Sequence, residues 1–156
     1  MTKPIPDGFH TLTPHLIVAD GAAAIEFYQK AFGAQENSRL LTPDGKALMH
    51  AQLTIGNSVL MLGSEMPPNA LSPKSRGGTS VFLHLYVPDA DAAFDRAIQT
   101  GCTIRMPVSD TFWGDRYGVV EDAFGHQWSI ASHQHDYTPE QIAANAKEFF
   151  AKMPKC

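Results

Sequence analysis

Two phrases constrain this chain more than any other feature: "HLIVAD" at residues 15 to 20 and "HLYVPD" at residues 84 to 89. Set in register, His15 falls against His84, Asp20 against Asp89, Ile25 against Phe94 and Gly33 against Gly101, at offsets of 69, 69, 69 and 68 residues. A sequence that repeats at this period builds one unit twice. In each copy an apolar alternation runs into an aspartate, which accepts hydrogen bonds from the orphan N–H groups of a first helical turn. Ile25, Tyr28 and Phe32 in one copy, and Phe94, Ala97 and Ile98 in the other, then recur at helical spacing. A glycine stops each helix.

Strand-like runs and turn chemistry follow each glycine. The first copy continues through "NSRLL", the turn "TPDGK" at 42 to 46, "ALMHAQLTI", the turn "GN" at 56 and 57, and "SVLML". The second runs through "CTIRMPV", a longer loop "SDTFWGD" at 109 to 115, "RYGVVE", the turn "DAFGH" and "QWSIAS". Each half therefore reads as β-α-β-β-β. The fold expected is α+β: a first module over residues 11–63, a Pro-, Gly- and Ser-rich linker over 64–79, and a second module over 80–133. The two modules form one structural domain of cupped mixed sheets around a cavity. The tail carries Thr138 as N-cap, Pro139 at the first helical position and Gln141 closing a capping box, which predicts a helix over 138–153, docked on the outside or on a partner subunit.

Composition excludes several classes of function. With 12 Lys and Arg against 16 Asp and Glu there is no basic stretch to track a phosphate backbone, so nucleic acid is not an expected partner. No run of about 18 apolar residues offers a membrane span, and "MTKPIPDGFHTLTPH" is not a signal peptide, so a soluble, cytoplasmic protein is expected. Cys102 and Cys156 are read as free thiols, Cys102 as a small buried residue. Phosphate loops, nucleophile elbows, C-x-x-C pairs and H-E-x-x-H are absent.

The paired β-α-β-β-β halves, "VEDAFGHQW" at 120 to 128 and "FWGDRYG" at 112 to 118 resemble the vicinal oxygen chelate superfamily, in particular its PhnB-like members, over residues 11–133. That superfamily includes glyoxalase I, extradiol dioxygenases and bleomycin-resistance proteins. The resemblance implies four metal-ligand positions, on the first and last strand of each half, at Thr13, Met61, Phe82 and Ser129. None is a good ligand for a divalent cation. By strand alternation His15 shares a face with Thr13 and His84 with Phe82, and His50 joins from the third strand.

Three readings stay open at this point. The first is metal-independent binding of a small, partly aromatic or anionic molecule in a cavity lined by His15, His50, Met61, Phe82, His84, Trp113, Arg116 and Ser129. No cofactor is then expected, and the catalytic residues, if any, are unknown. The second is a metal-dependent lyase, isomerase or dioxygenase of glyoxalase type, with His15, His50 and His84 as displaced ligands of a divalent metal. The third is a dimeric interaction protein without a small ligand. Phe112 and Trp113 with Arg116 suit a planar or anionic ligand; pairing of Arg116 with Asp110 or Asp115 is the alternative. Trp128 is assigned to the helix layer and Asp122 to its turn. A homodimer is expected, and the linker is long enough for modules to pair within one chain or to exchange between two.

Overall fold

The computed structural model describes residues 2–153, so Cys156 lies outside the described residues. The first module comprises β1 (His15–Val18), α1 (Gly21–Phe32), β2 (Gln35–Leu41), β3 (Leu48–Ile55) and β4 (Ser58–Ser64). A short helix, α2 (Pro73–Arg76), interrupts the linker. The second module comprises β5 (Phe82–Tyr86), α3 (Ala90–Thr100), β6 (Thr103–Asp110), β7 (Asp115–Glu121) and β8 (Gln127–His133), and α4 (Pro139–Lys152) closes the chain. Each module forms a four-stranded mixed sheet, in the orders β1-β4-β3-β2 and β5-β8-β7-β6. No helix among the described residues is long and apolar enough to cross a membrane.

The punctuation read from the sequence works as local chemistry demands. Asp20 and Asp89 each accept from the backbone N–H three residues on, at 3.0 Å, and Gly33 ends α1 at φ 68°. Thr138 and Gln141 close the capping box on α4. One expectation is corrected. The segment 109–115 is no long loop, because β6 runs through Asp110 and β7 starts at Asp115, with Thr111 N–H donating to the Asp115 carbonyl. Within the linker, Ser72 caps α2 and Met66 bridges to Ala70.

Alternation gives each sheet one face against helices and one open face. Leu16, Val18, Ala51, Leu53, Leu60 and Leu62 are buried beneath α1, and Trp128, Ile130 and Val120 form the matching side of the second sheet. Helices α1 and α3 pack on each other, so a single core runs through both modules. Gly118 allows the close approach of α3: a Cβ there would land 2.8 Å from the Phe94 ring.

The modules are also joined by a buried carboxylate. Asp122, 5% exposed, receives Tyr28 Oη of α1 at 2.8 Å and Trp128 Nε1 of β8 at 2.9 Å on one oxygen. Its other oxygen takes the backbone N–H groups of Phe124 and His126. The sequence assigns Asp122 to its turn alone; the structure adds the two aromatic donors. Around them Phe32 lies against Trp128, ring centroids 4.2 Å apart. Nearby, His126 Nε2 donates to the Ile17 carbonyl across the module boundary.

Replacing Asp122 by Ala strands two buried side-chain donors and two part-buried backbone N–H groups and is expected to destabilise the fold by about 3 kcal/mol or more, whereas Tyr28→Phe removes one bond and costs about 1–2 kcal/mol. Urea unfolding midpoints measure both. Equal, small losses would show that the carboxylate does not join the modules.

Candidate functional site

The open face of the first sheet carries the first group of residues singled out from the sequence. His15 of β1 stands beside Met61 of β4 in the parallel register, and Met61 stands opposite Gln52 of β3. The His15 and His50 rings meet edge to face with centroids 5.5 Å apart. Partial burial, and then the neighbouring His50, push the His15 pKa below the ordinary histidine value, so His15 is neutral at pH 7.

The second sheet repeats this row with different chemistry. His84 of β5 stands beside Ser129 of β8, and His84 Nδ1 shares a 2.7 Å hydrogen bond with Ser129 Oγ. Ser129 is 2% exposed beneath that imidazole. On either side of His84 lie Tyr86, at 4.4 Å between centroids, and Tyr117, nearly parallel at 6.0 Å. Trp113 then meets Tyr117 at 5.5 Å, which completes a strip of four aromatic rings. Phe82 and Tyr86 of β5 are 55% and 62% exposed. Both tyrosines went unnamed among the site residues read from the sequence, although period two along "FLHLY" already places Phe82, His84 and Tyr86 on one face.

The register also fixes where the positions taken from the resemblance lie. Met61 pairs with His15, and Ser129 pairs with His84, the same relation in both halves. Phe82 sits one step away, beside Gln127, and Thr13 precedes β1, donating its hydroxyl to the His10 carbonyl. The matched row thus offers His15, Met61, His84 and Ser129. A thioether and a hydroxyl already bonded to His84 supply no charge, and no carboxylate joins them. Among the described residues no three His, Cys, Asp or Glu side chains gather closely enough to hold a metal ion. These residues do not fit the divalent ion of the superfamily.

Arg116 is not free at the site. Its guanidinium makes paired hydrogen bonds of 2.9 and 2.8 Å to Asp91 of α3 and a third, of 3.3 Å, to Asp110 of β6. Arg39 is held by Glu36 and Arg105 by Glu121 in the same way. Trp113 is anchored instead of loose: its Nε1 donates to Asp115 Oδ2 at 3.0 Å. Cys102 is buried, and burial with the nearby Asp122 pushes its thiol up to about 12, which leaves it inert as a nucleophile.

The open faces are not joined into one sheet. β1 edges one sheet and β5 the other, and a groove of about 970 Å³ lies along β5. It is lined by both faces of β5, the turn around Gly56 and Asn57, the segment before β1, and Phe32 with Trp128. Of the site residues read from the sequence only Phe82 and His84 line it, together with Thr13. α4 has no buried residue; Asn145 donates to the Phe112 carbonyl and Phe149 and Phe150 lie against the Phe112 ring.

The sequence profile of the glyoxalase/bleomycin resistance protein/dioxygenase superfamily matches residues 8–130. The chain belongs to this superfamily. It is 46% identical over 137 residues to an uncharacterized protein of Mycobacterium bovis, covering 85% of this chain and 90% of that relative. Its fold matches the crystal structure of TioX from Micromonospora sp. ML1 at TM-score 0.62, with 26% identity, over 83% of this chain and all of that one. A PhnB protein from Bacillus cereus shares the fold at TM-score 0.56 and 16% identity, over 79% of this chain and 99% of its own.

Imidazole resonances followed against pH check the electrostatics of the first sheet. His15 is expected to titrate below about 6.5, the unperturbed histidine value, and to move part of the way back in His50→Ala. A pKa lowered by folding means that this contribution to stability is intact at neutral pH and is lost on acidification below the unfolded value.

Proposed function

We propose that this protein binds an uncharged, partly aromatic small molecule between two copies of the chain, without a metal ion. The observation that carries the reading is the ring strip Trp113, Tyr117, His84 and Tyr86 on an open sheet face, while Arg116, next to Tyr117 on β7, is paired with Asp91 on the helix side of the sheet. Aromatic rings offer stacking area, while His84, His15, His50 and Gln52 offer hydrogen bonds to a neutral polar group. An anionic ligand is disfavoured because Arg116, the cation nearest the strip in sequence, is committed to Asp91 and Asp110.

The sheet edges support this copy-to-copy arrangement. The outer edges are guarded: β2 carries two register shifts with Glu36 and Arg39, and β6 carries two register shifts, Arg105 and Pro107. The inner edges, "HLIV" of β1 and "FLHLY" of β5, carry no charge, proline or register shift. Bare apolar edges of this kind recruit a strand. A two-fold pair in which β5 of each copy is covered by the other's first module answers both edges at once. It sets the His84–Ser129 row of one copy beside the His15–Met61 row of the other. The ligand cup would then be built from two chains, and the protein is a homodimer.

Light scattering on the full chain is expected to give twice 17.0 kDa, and Phe82→Lys, which places a charge on β5, is expected to give the monomer mass. Titration with 2-naphthol, a neutral bicyclic probe, is expected to raise the melting temperature; at a hundredfold excess over Kd the gain is about 2.7 kcal/mol. His84→Ala is expected to weaken binding and EDTA to leave it unchanged. Binding abolished by chelation and restored by a divalent metal would replace this reading with the metal-dependent one.

A further inference from the structure

The aromatic strip ends at both sides on one carboxylate. Asp115, 3% exposed at the start of β7, accepts Trp113 Nε1 at 3.0 Å and Tyr86 Oη at 3.1 Å on the same oxygen. Its other oxygen lies 2.7 Å from His133 Nδ1 of β8. The residues therefore form a closed circuit: Asp115 to Tyr86, Tyr86 to His84, His84 to Tyr117, Tyr117 to Trp113, and Trp113 back to Asp115. Against the upward push of burial, the hydrogen bonds from His133, Trp113 and Tyr86 hold Asp115 below the usual aspartate value, so it is an acceptor only.

The backbone fixes this carboxylate in turn. Asp115 N–H donates to Thr111 Oγ1, and the Gly114 carbonyl receives the N–H groups of Gln134 and His135. Gly114, at φ 106°, is required because a Cβ there would overlap the His135 carbonyl.

We infer that Asp115 is a positioning residue for the ligand-facing wall: it locks the planes of Trp113 and Tyr86, and through them the spacing of the four-ring strip. A tyrosine has two rotatable bonds before its ring and a tryptophan the same, so a shared acceptor removes most of their freedom before a ligand arrives, which is preorganisation. The inference rests on the proposed binding of an aromatic ligand by that strip.

Two measurements test it. In Asp115→Asn the side-chain amide faces donors it cannot all accept, and the indole N–H cross-peak of Trp113, assigned with Trp113→Phe, is expected to move while that of Trp128 stays. The 2-naphthol affinity is expected to fall about tenfold in Asp115→Asn but by less than about twofold when the same change is made in the Tyr86→Phe/Trp113→Phe background, because both routes remove the same bonds. A Trp113 peak that does not move, or an affinity loss that is additive with the double variant, overturns the inference. Tyr86→Phe alone keeps the ring and leaves the carboxylate its Trp113 and His133 donors, so it serves if Asp115→Asn folds poorly: the affinity is expected to fall severalfold, and an unchanged affinity overturns the inference. If the unaltered protein does not bind 2-naphthol, the binding reading falls, and the indole shift alone decides whether Asp115 sets the strip.

Discussion

Asp122 is the interaction on which the rest of this structure depends. An ionised carboxylate taken out of water costs several kcal/mol unless its lone pairs are filled, and here four donors fill them. Two come from its own turn and fix the bend between β7 and β8. One comes from Trp128 of that module, and one comes from Tyr28 in the other. The burial that makes Asp122 costly alone makes it binding between modules once satisfied, and it also drives the Tyr28 hydroxyl well above the usual tyrosine pKa, so the phenol keeps its proton. Relative placement of the two sheets, and so of the two histidine rows, follows from this contact and from α1 packing on α3.

A second buried carboxylate acts on the opposite side of the second sheet. Asp115 orders side chains at the open face as Asp122 orders them at the helix face. One stabilises the frame, and the other shapes what the frame displays. Both sit at an end of β7, Asp115 as its first residue and Asp122 directly after its last, where the strand turns and side chains from neighbouring elements converge.

Much of the fold was legible in the sequence because its signals are local. Asp20, Asp89, Gly33, Thr138 and Gln141 each act within five residues of their own position, and the repeat announces the duplicated module. The site was less legible. The Arg116 partner on α3, Asp91, lies 25 residues away, and only the packing of that helix brings it near. His15 and Met61 lie 46 residues apart and meet through a parallel pairing, which periodicity does not align, so the register taken from Thr13 was one alternation off from the pair that forms. Asp110 or Asp115 was read as the alternative partner of Arg116, and Asp110 does accept from it at 3.3 Å, whereas Asp115, its neighbour in sequence, does not. Adjacent residues on a strand point to opposite faces, and Asp115 instead serves Tyr86, Trp113 and His133.

The reach of the Tyr28–Asp122 bond has a consequence for how the chain is made. The acceptor emerges from the ribosome 94 residues after the donor. Until then the α1 face that holds Tyr28 and Phe32 lacks the Trp128 surface against which it finally rests. The N-terminal half is therefore a nascent intermediate with an unfinished hydrophobic side, and its completion waits for the last strand of the C-terminal half to be synthesised.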